Sequence, residues 1–247
     1  TVNSNPVTIT VNSNTPPTVS ISASTTTACQ GQTVTFTATP GNAVSPSYQW
    51  KVNGQNAGAN SSVFSINTLN NGDVVSVVLT TSAQCASPNF AVSNEIVITV
   101  PEPIIPEVTI EASATEICAG SPVTFTATPQ NGGNPVYQWK VNGQNAGNNS
   151  PVFTTSSLQA NATVTVEMYS DLACAVNPAI SNSIGIIVNP VPVVTITGVN
   201  QFCEGGSAIL TASEGLSWIW NTGATSQSIT VNAPGTYTVT VTNSFGC

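Results

Sequence analysis

The sequence predicts an all-β chain of tandem antiparallel sandwiches. Three observations carry the prediction: apolar residues alternate with Thr and Ser over short segments, the sequence repeats itself at a fixed shift, and no helical period is present. In Thr33–Thr39, Val34, Phe36 and Ala38 fall on one face and threonines on the other. In Ser47–Val52, Tyr48, Trp50 and Val52 share the inward face, and Gln49 and Lys51 point out. This period of two belongs to strands with one buried and one solvated face.

The repeat is explicit. Cys118 stands 89 residues after Cys29, Trp139 the same distance after Trp50, and Cys174 after Cys85. The string YQWKVNGQNAG occurs at Tyr48–Gly58 and again at Tyr137–Gly147, and VTFTATP at Val34–Pro40 and Val123–Pro129. Each full unit closes on a strand pattern, SNEIVITV at Ser93–Val100 and SNSIGIIV at Ser181–Val188. The opening SNPVTITV at Ser4–Val11 matches these closing strands. A third, shorter unit aligns FCEGGSAILTA with the first unit's ACQGQTVTFTA, places Trp220 where Trp50 stands, and stops at Cys247 before a closing strand. The expected organisation is therefore residues 1–13 as the closing strand of an upstream repeat, 14–100 as repeat 1, 101–189 as repeat 2, and 190–247 as a shorter repeat 3 lacking its last strand. The array is expected to continue in both directions. Proline-rich joints (NTPP, PEPIIP, NPVP) separate the units and favour stiff, extended connections, hence an extended rod.

About seven short strands per unit, with an inward Trp on the third, describe an immunoglobulin-like sandwich. The expected strands of repeat 1 are A (Thr18–Ser24), B (Thr33–Thr39), C (Ser47–Val52), E (Val63–Asn67), F (Val74–Thr81) and G (Ser93–Val100), with one strand between C and E unassigned. Asn53-Gly54 and Asn142-Gly143 are two-residue hairpin signals. Trp50, Trp139, Trp220, Tyr48 and Tyr137 are expected in the cores rather than as ligand platforms.

Composition narrows the function. Charged residues make up 5% of the chain, with two Lys plus Arg, ten Asp plus Glu, no His and a net charge of −8; an average soluble protein has roughly 25%. Nucleic acid and anionic membranes need clustered Lys or Arg, so neither is an expected partner. No apolar run approaches the ~20 residues of a membrane-spanning helix, so no insertion is expected in this segment. Without His the commonest general base and metal ligand is missing, and no nucleophile–base arrangement or phosphate loop appears; no enzyme is expected. Glu102, Glu107 and Glu111 near one joint offer hard oxygen ligands for Ca2+, against the favoured reading of solvated linker charge. Thr-rich outer strand faces suit ice or sugar binding, but also the solubility of a charge-poor surface, the favoured reading.

Six cysteines at repeating places point to an oxidising, extracellular setting. Two pairings are open. One closes each unit on itself: Cys29–Cys85, Cys118–Cys174, Cys203–Cys247. However, Cys29 precedes strand B and Cys85 follows strand F, and in an immunoglobulin-like order these points lie at opposite poles. At about 3.3 Å per residue that separation is ~25 Å, whereas a disulfide spans Cα atoms about 4.4–6.8 Å apart. Head-to-tail stacking instead brings Cys29 to Cys174 and Cys118 to Cys247, leaving Cys85 and Cys203 for repeats outside the segment. This second pairing, stapling neighbouring repeats of the chain, is preferred.

The run of Cys-x-Gly, VTFTATP, YQWKVNG, Gly72-Asp73, a second Cys and SNxIxIxV resembles the PKD-like and immunoglobulin-like repeats of giant Bacteroidota surface proteins. Repeat 2 departs from it with Ala160-Asn161 near the Gly-Asp turn. The third unit resembles a second repeat class of the same proteins in CEGGSAILTAS, WNTGATSQSITV and GTYTVTVTNSFGC. The resemblance implies export by type IX secretion, display on the cell surface or an appendage, and a role as the shaft of a gliding adhesin or surface filament. Three functions follow in order of expectation. The first is a structural shaft segment of a very long fibre or adhesin, with lateral assembly into a homo-oligomeric filament through unpaired edge strands A and G. The second is a glycan- or cell-binding module, for which Phe90 in the F–G loop and Trp218 are the available exposed aromatics. The third is a spacer in a secreted multidomain enzyme.

Overall fold

A computed structural model describes residue 2 and residues 4–247. Among the described residues there is no helix. The chain divides into two compact units, Thr1–Ile104 with Ala173–Ala175, and Ile105–Leu172 with Val176–Cys247.

The first unit holds one sandwich of β1 (Thr18–Ala23), β2 (Val34–Gly41), β3 (Ser47–Val52), β4 (Gln55–Ala57), β5 (Val63–Ile66), β6 (Val74–Thr80), β7 (Phe90–Val92) and β8 (Ile96–Val97). One sheet runs β1-β2-β5; the other runs β4-β3-β6-β7, with β8 also on β6. In immunoglobulin terms these are the A-B-E and C′-C-F-G sheets. The strand left unassigned between C and E is β4. It is C′, not D: it pairs antiparallel with β3 (Val52↔Gln55, Trp50↔Ala57) across the Asn53-Gly54 turn. Both turn residues have positive φ, 51° and 77°, the signature of a type I′ hairpin.

Alternation produced the core. Val34, Phe36 and Ala38 of β2 are buried against Trp50, Phe64, Val75, Val77 and Ile98, and the intervening Thr37 and Thr39 are exposed. Phe36, Trp50 and Phe64 form an aromatic cluster with ring centroids 5.5–6.2 Å apart.

Strand G differs from the single run expected over Ser93–Val100. It begins earlier, at Phe90, and breaks at Ser93–Glu95 into β7 and β8. The reason is that side chains replace ladder bonds there. Ser93 exchanges two bonds with Val77, through its own N–H and its Oγ. Asn94 turns away to the backbone of Ile21 on β1. Beyond β8, Thr99 bridges Thr27 in parallel, and Ala28 N–H donates to Thr99 O. Residues 26–28 therefore act as a short A′ strand along G. Strand A stands at an edge of its sheet, as expected, with one residue, Ile21, held by Asn94, whereas strand G is partly covered by A′; E and C′ form the other edges.

The second unit repeats this plan with β9 (Glu107–Ala112), β10 (Glu116–Cys118), β11 (Val123–Gln130), β12 (Val136–Val141), β13 (Gln144–Ala146), β14 (Val152–Thr155), β15 (Ala162–Tyr169), β16 (Ala179–Ile180) and β17 (Ile184–Asn189). Its sheets are β14-β11-β9 and β10-β17-β15-β12-β13, with A′ now a full parallel partner of G. A second sandwich in this unit has β18 (Ile196–Gly198), β19 (Ala208–Ala212), β20 (Ser217–Trp220), β21 (Ser228–Val231) and β22 (Val239–Thr242). Its sheets are β18-β19-β21 and β20-β22, so strand F has C on one side and no strand on the other. The alternating run Thr236–Thr242 becomes a strand only from Val239 on, because its first residues have no G strand beside them.

Ser4–Val11, expected as a closing strand, is in no strand, and Val7, Ile9 and Val11 are 85%, 84% and 91% exposed. A lone strand has no second strand to bond and no face to bury. Thr1 and Asn3 of the expected 1–13 segment lie outside the described residues.

Candidate functional site

The six cysteines occupy two kinds of loop. Cys29, Cys118 and Cys203 each open the turn between A′ and B. In all three the cysteine carbonyl accepts the N–H three residues on, from Gln32, Ser121 and Gly206, at 2.9–3.0 Å. The glycine of each Cys-x-Gly has φ of 79–84°. This is a type II turn, in which the third position needs positive φ and hence Gly. The motif thus fixes a cysteine at the corner entering strand B.

Cys85, Cys174 and Cys247 belong to the loop after strand F. Cys85 and Cys174 share a positive φ, 66° and 61°, uncommon for a residue with a side chain. In both, the cysteine carbonyl accepts an N–H from the segment leading into the same repeat: Thr15 at 3.2 Å for Cys85, Ile104 at 3.1 Å for Cys174.

The structure joins one loop type to the other. Cys29 is bonded to Cys174 with Cα atoms 5.2 Å apart. Cys118 is bonded to Cys247 with Cα atoms 5.7 Å apart. Each bond falls inside one compact unit, the tip Ala173–Ala175 lying with the first. Beside the second bond, Asn243 Nδ2 donates to Pro190 O at 2.6 Å. Cys85 and Cys203 are unpaired and exposed.

The remaining sequence candidates sort cleanly. Trp50, Trp139 and Trp220 are at most 1% exposed, and each indole N–H donates to a backbone carbonyl, of Ser61, Ser150 and Ser226. Tyr137 is buried, which pushes its phenol pKa up; Tyr48 is half-buried against the same face of the first sandwich. Trp218 packs against the third core and donates to Ser213 O, so it is no platform. Phe90 lies on β7 rather than in the loop before it, and is half exposed. Asp73 is a turn clasp, accepting from Asn53 Nδ2 and the Asn70 N–H. Asp171 accepts from the backbone and side chain of Asn134, which holds its carboxyl below the usual range. Glu102, Glu107 and Glu111 are exposed, and among the described residues no three metal-ligating side chains gather. The outward threonines pair across B and E in every sandwich: Thr35 with Ser65, Thr124 with Thr154, Thr211 with Ser228, each at 2.9 Å.

No family model and no curated protein matches the chain. Solved structures similar to it include three N-terminal domains of the Highly Immunogenic Outer Capsid protein of bacteriophage RB49 (13% identity, 87% of this chain, 80% of that chain, TM-score 0.36). Fibronectin(III)-like modules of Clostridium thermocellum CbhA align at 17% identity over 69% of this chain and 94% of that chain (TM-score 0.37). The I67–I69 fragment of the titin I-band aligns at 9% identity over 84% and 79% (TM-score 0.37). Likenesses this distant carry no argument about what the chain does. The strand order, the shared Trp core and the A′–G parallel pairing make each full repeat an immunoglobulin-like sandwich.

Proposed function

We propose that this chain is a structural segment of a long extracellular fibre or adhesin, exposed at a bacterial surface and used for attachment to surfaces or other cells. One observation carries the reading: Cys118–Cys247 joins the A′–B corner of one sandwich to the F–G loop of the next, so the joint between successive repeats bears a covalent bond. A disulfide there suits a chain that works under tension in an oxidising compartment. The charge-poor composition supports close lateral association, since little like-charge repulsion opposes it. The edge strands A, E and C′ are available for such contacts. The motif resemblance to Bacteroidota surface repeats supports type IX export as the route.

The test is electron microscopy of surface material from the producing cell, labelled with antibody raised against this segment. Labelling along the length of fibres supports the reading. Labelling confined to the cell interior, or to a soluble secreted enzyme, overturns it.

A further inference from the structure

We propose that this chain pairs with a second copy of itself through the outer face of the C′-C-F-G sheet of repeat 1, with Lys51 of each copy meeting Glu95 of the other. Three observations meet on that face: an exposed apolar row, two opposite charges without partners beside it, and a different arrangement at the same places in repeat 2.

The register fixes which residues share the face. Val75, Val77 and Leu79 of β6 are fully buried, so the residues between them point outward. Val78 stands between Gln49 on β3 and Val92 on β7, and Val74 stands beside Val97 on β8. Val92 and Val97 are 59% and 57% exposed. Gln49 brings no unmet donor to this row, because its Nε2 already donates to the carbonyls of Trp50 and Ala57. In the next outward row Lys51 of β3 lies opposite Ser76 of β6. On the other side of β6, the pairing of Val74 with Val97 and Val75 with Ile96 continues to Ser76 with Glu95. Ile96 packs against the core, so alternation turns its neighbour Glu95 outward, and Glu95 is exposed. Two strand spacings, about 10 Å, separate Lys51 from Glu95. Lys51 Nζ donates to Gly54 O at 3.3 Å and to Asn56 Oδ1 at 3.2 Å, and meets no carboxylate. The ion pair among the described residues is Lys140–Glu167, in repeat 2.

Repeat 2 arranges the same place differently. Gln138 and Lys140 match Gln49 and Lys51, but Glu167 stands where repeat 1 has Val78, and Ser183 where it has Glu95. There the lysine finds its carboxylate on the neighbouring strand, and the face is neutralised within one sheet. In repeat 1 that carboxylate is a valine, and the glutamate sits one strand further away, on the far side of β6 from Lys51. A face with a cation on one flank, an anion on the other and valines between them is complementary to its own copy, turned about a two-fold axis that runs along β6. That rotation sets β3 of one copy over strand G of the other at the same height. Lys51 then meets Glu95 twice, Val78 meets Val78, and each Val92 covers a Gln49 stem. The two sheets stack aligned, about 10 Å apart, with their strands running the same way. Burial of the valines gives affinity and the two charge pairs set the orientation. The contact is isologous, so it closes at two copies. It goes beyond the attachment reading, since two copies pair whether or not either is anchored to a cell.

The whole 247-residue chain is used for the test, with the exposed Cys85 and Cys203 thiols blocked by iodoacetamide so that no disulfide links copies. At about 0.15 M salt, where repulsion between distant charges is screened, sedimentation equilibrium is expected to move from 25.2 kDa to twice that mass as concentration rises. Val78→Glu copies the Lys140–Glu167 arrangement of repeat 2, so the sandwich still folds, which an unchanged near-ultraviolet circular dichroism spectrum checks. Its pairing should weaken by more than about tenfold, because two carboxylates would be buried against each other. Lys51→Glu and Glu95→Lys should each weaken pairing alone. An equimolar mixture of those two variants should recover it, since in the mixed pair every cation again faces a carboxylate. A chain that stays monomeric at every concentration, association that survives Val78→Glu, or a mixture that pairs no better than its components overturns the proposal. None of those results touches the labelling test of the attachment function.

Discussion

Asn94 clasps Ile21: the Ile21 N–H donates to Asn94 Oδ1 at 2.8 Å, and Asn94 Nδ2 returns a bond to the Ile21 carbonyl at 3.2 Å. One side chain thus occupies both backbone groups of a strand-A residue from a position in strand G, tying the edge of one sheet to the edge of the other. Asn182 does the same to Ile110 at 2.8 and 3.1 Å. Asn182→Ala should lower stability by about 1–2 kcal/mol, leaving a part-buried N–H and C=O without partners. Urea denaturation reads the loss, and hydrogen exchange at the Ile110 amide locates it. An Ile110 amide protected as before would remove the clasp from the account.

The clasp marks where sequence reasoning stops. Strands B, C, E and F were legible because one face of each is buried, and alternation such as Val34, Phe36, Ala38 records that directly. The Asn53-Gly54 hairpin was legible as turn chemistry, but its return strand Gln55–Ala57 is short, polar and on an edge, so no hydrophobic pattern announces it. A′ is equally silent: Glu116–Cys118 is held by parallel backbone pairing with β17, and Ile117 is its one apolar residue packed against the core, too little for an alternating pattern. The repeated Ser-Asn was visible, yet nothing local says that Asn94 bonds a residue 73 positions away. The cysteine pairing depended on pole-to-pole distance, which spacing along the chain does not contain; it needs the strand order first.

The last glycine of the repeated YQWKVNGQNAG has a definite reason. Gly147 has φ of 63°, and a Cβ there would lie 2.8 Å from Cδ2 of Phe153, a ring in the aromatic core. Gly147→Ala therefore combines an unfavourable backbone conformation with a clash against a side chain that packing prevents from moving. A loss of about 2–3 kcal/mol is expected from strain and overpacking together. Gly143→Ala in the hairpin tip has φ of 77° but open space around it, so it should cost only the backbone part. Equal losses in chemical denaturation would show that contact with Phe153 contributes nothing.

The Cys118–Cys247 bond closes a long loop in the second unit, with a sequence separation of 129. Cross-linking restricts the unfolded chain, so Cys118→Ser with Cys247→Ser should destabilise the unit by about 2–4 kcal/mol. The effect should concentrate in the sandwich of β18–β22, which has the fewest strands and the smallest core. Tryptophan fluorescence of Trp218 and Trp220 against denaturant follows that sandwich in a background where Trp50 and Trp139 are replaced by Phe. An unchanged midpoint would mean the bond is permissive rather than stabilising.

Asp171 provides an acid-sensitive contact that only one repeat has. Its carboxylate accepts from the Asn134 N–H at 2.7 Å and from Asn134 Nδ2 at 3.2 Å, and the backbone bond is the first cause of its lowered pKa. Because the folded value lies below the ordinary 3.8, the contact stabilises the loop above that pH and is lost as pH falls through the folded value. Carboxyl NMR should give a midpoint below 3.8 for Asp171, with the Asn134 amide shifting in step. Asp171→Asn should remove that titration while leaving neutral-pH folding intact, since an amide oxygen can still accept. At the matching place in the first repeat stands Ser82, which bonds Val44 through its N–H and hydroxyl and carries no charge, so that loop should be indifferent to the same pH change. An Asn134 amide that titrates identically in the wild type and in Asp171→Asn would assign the acid response to another group.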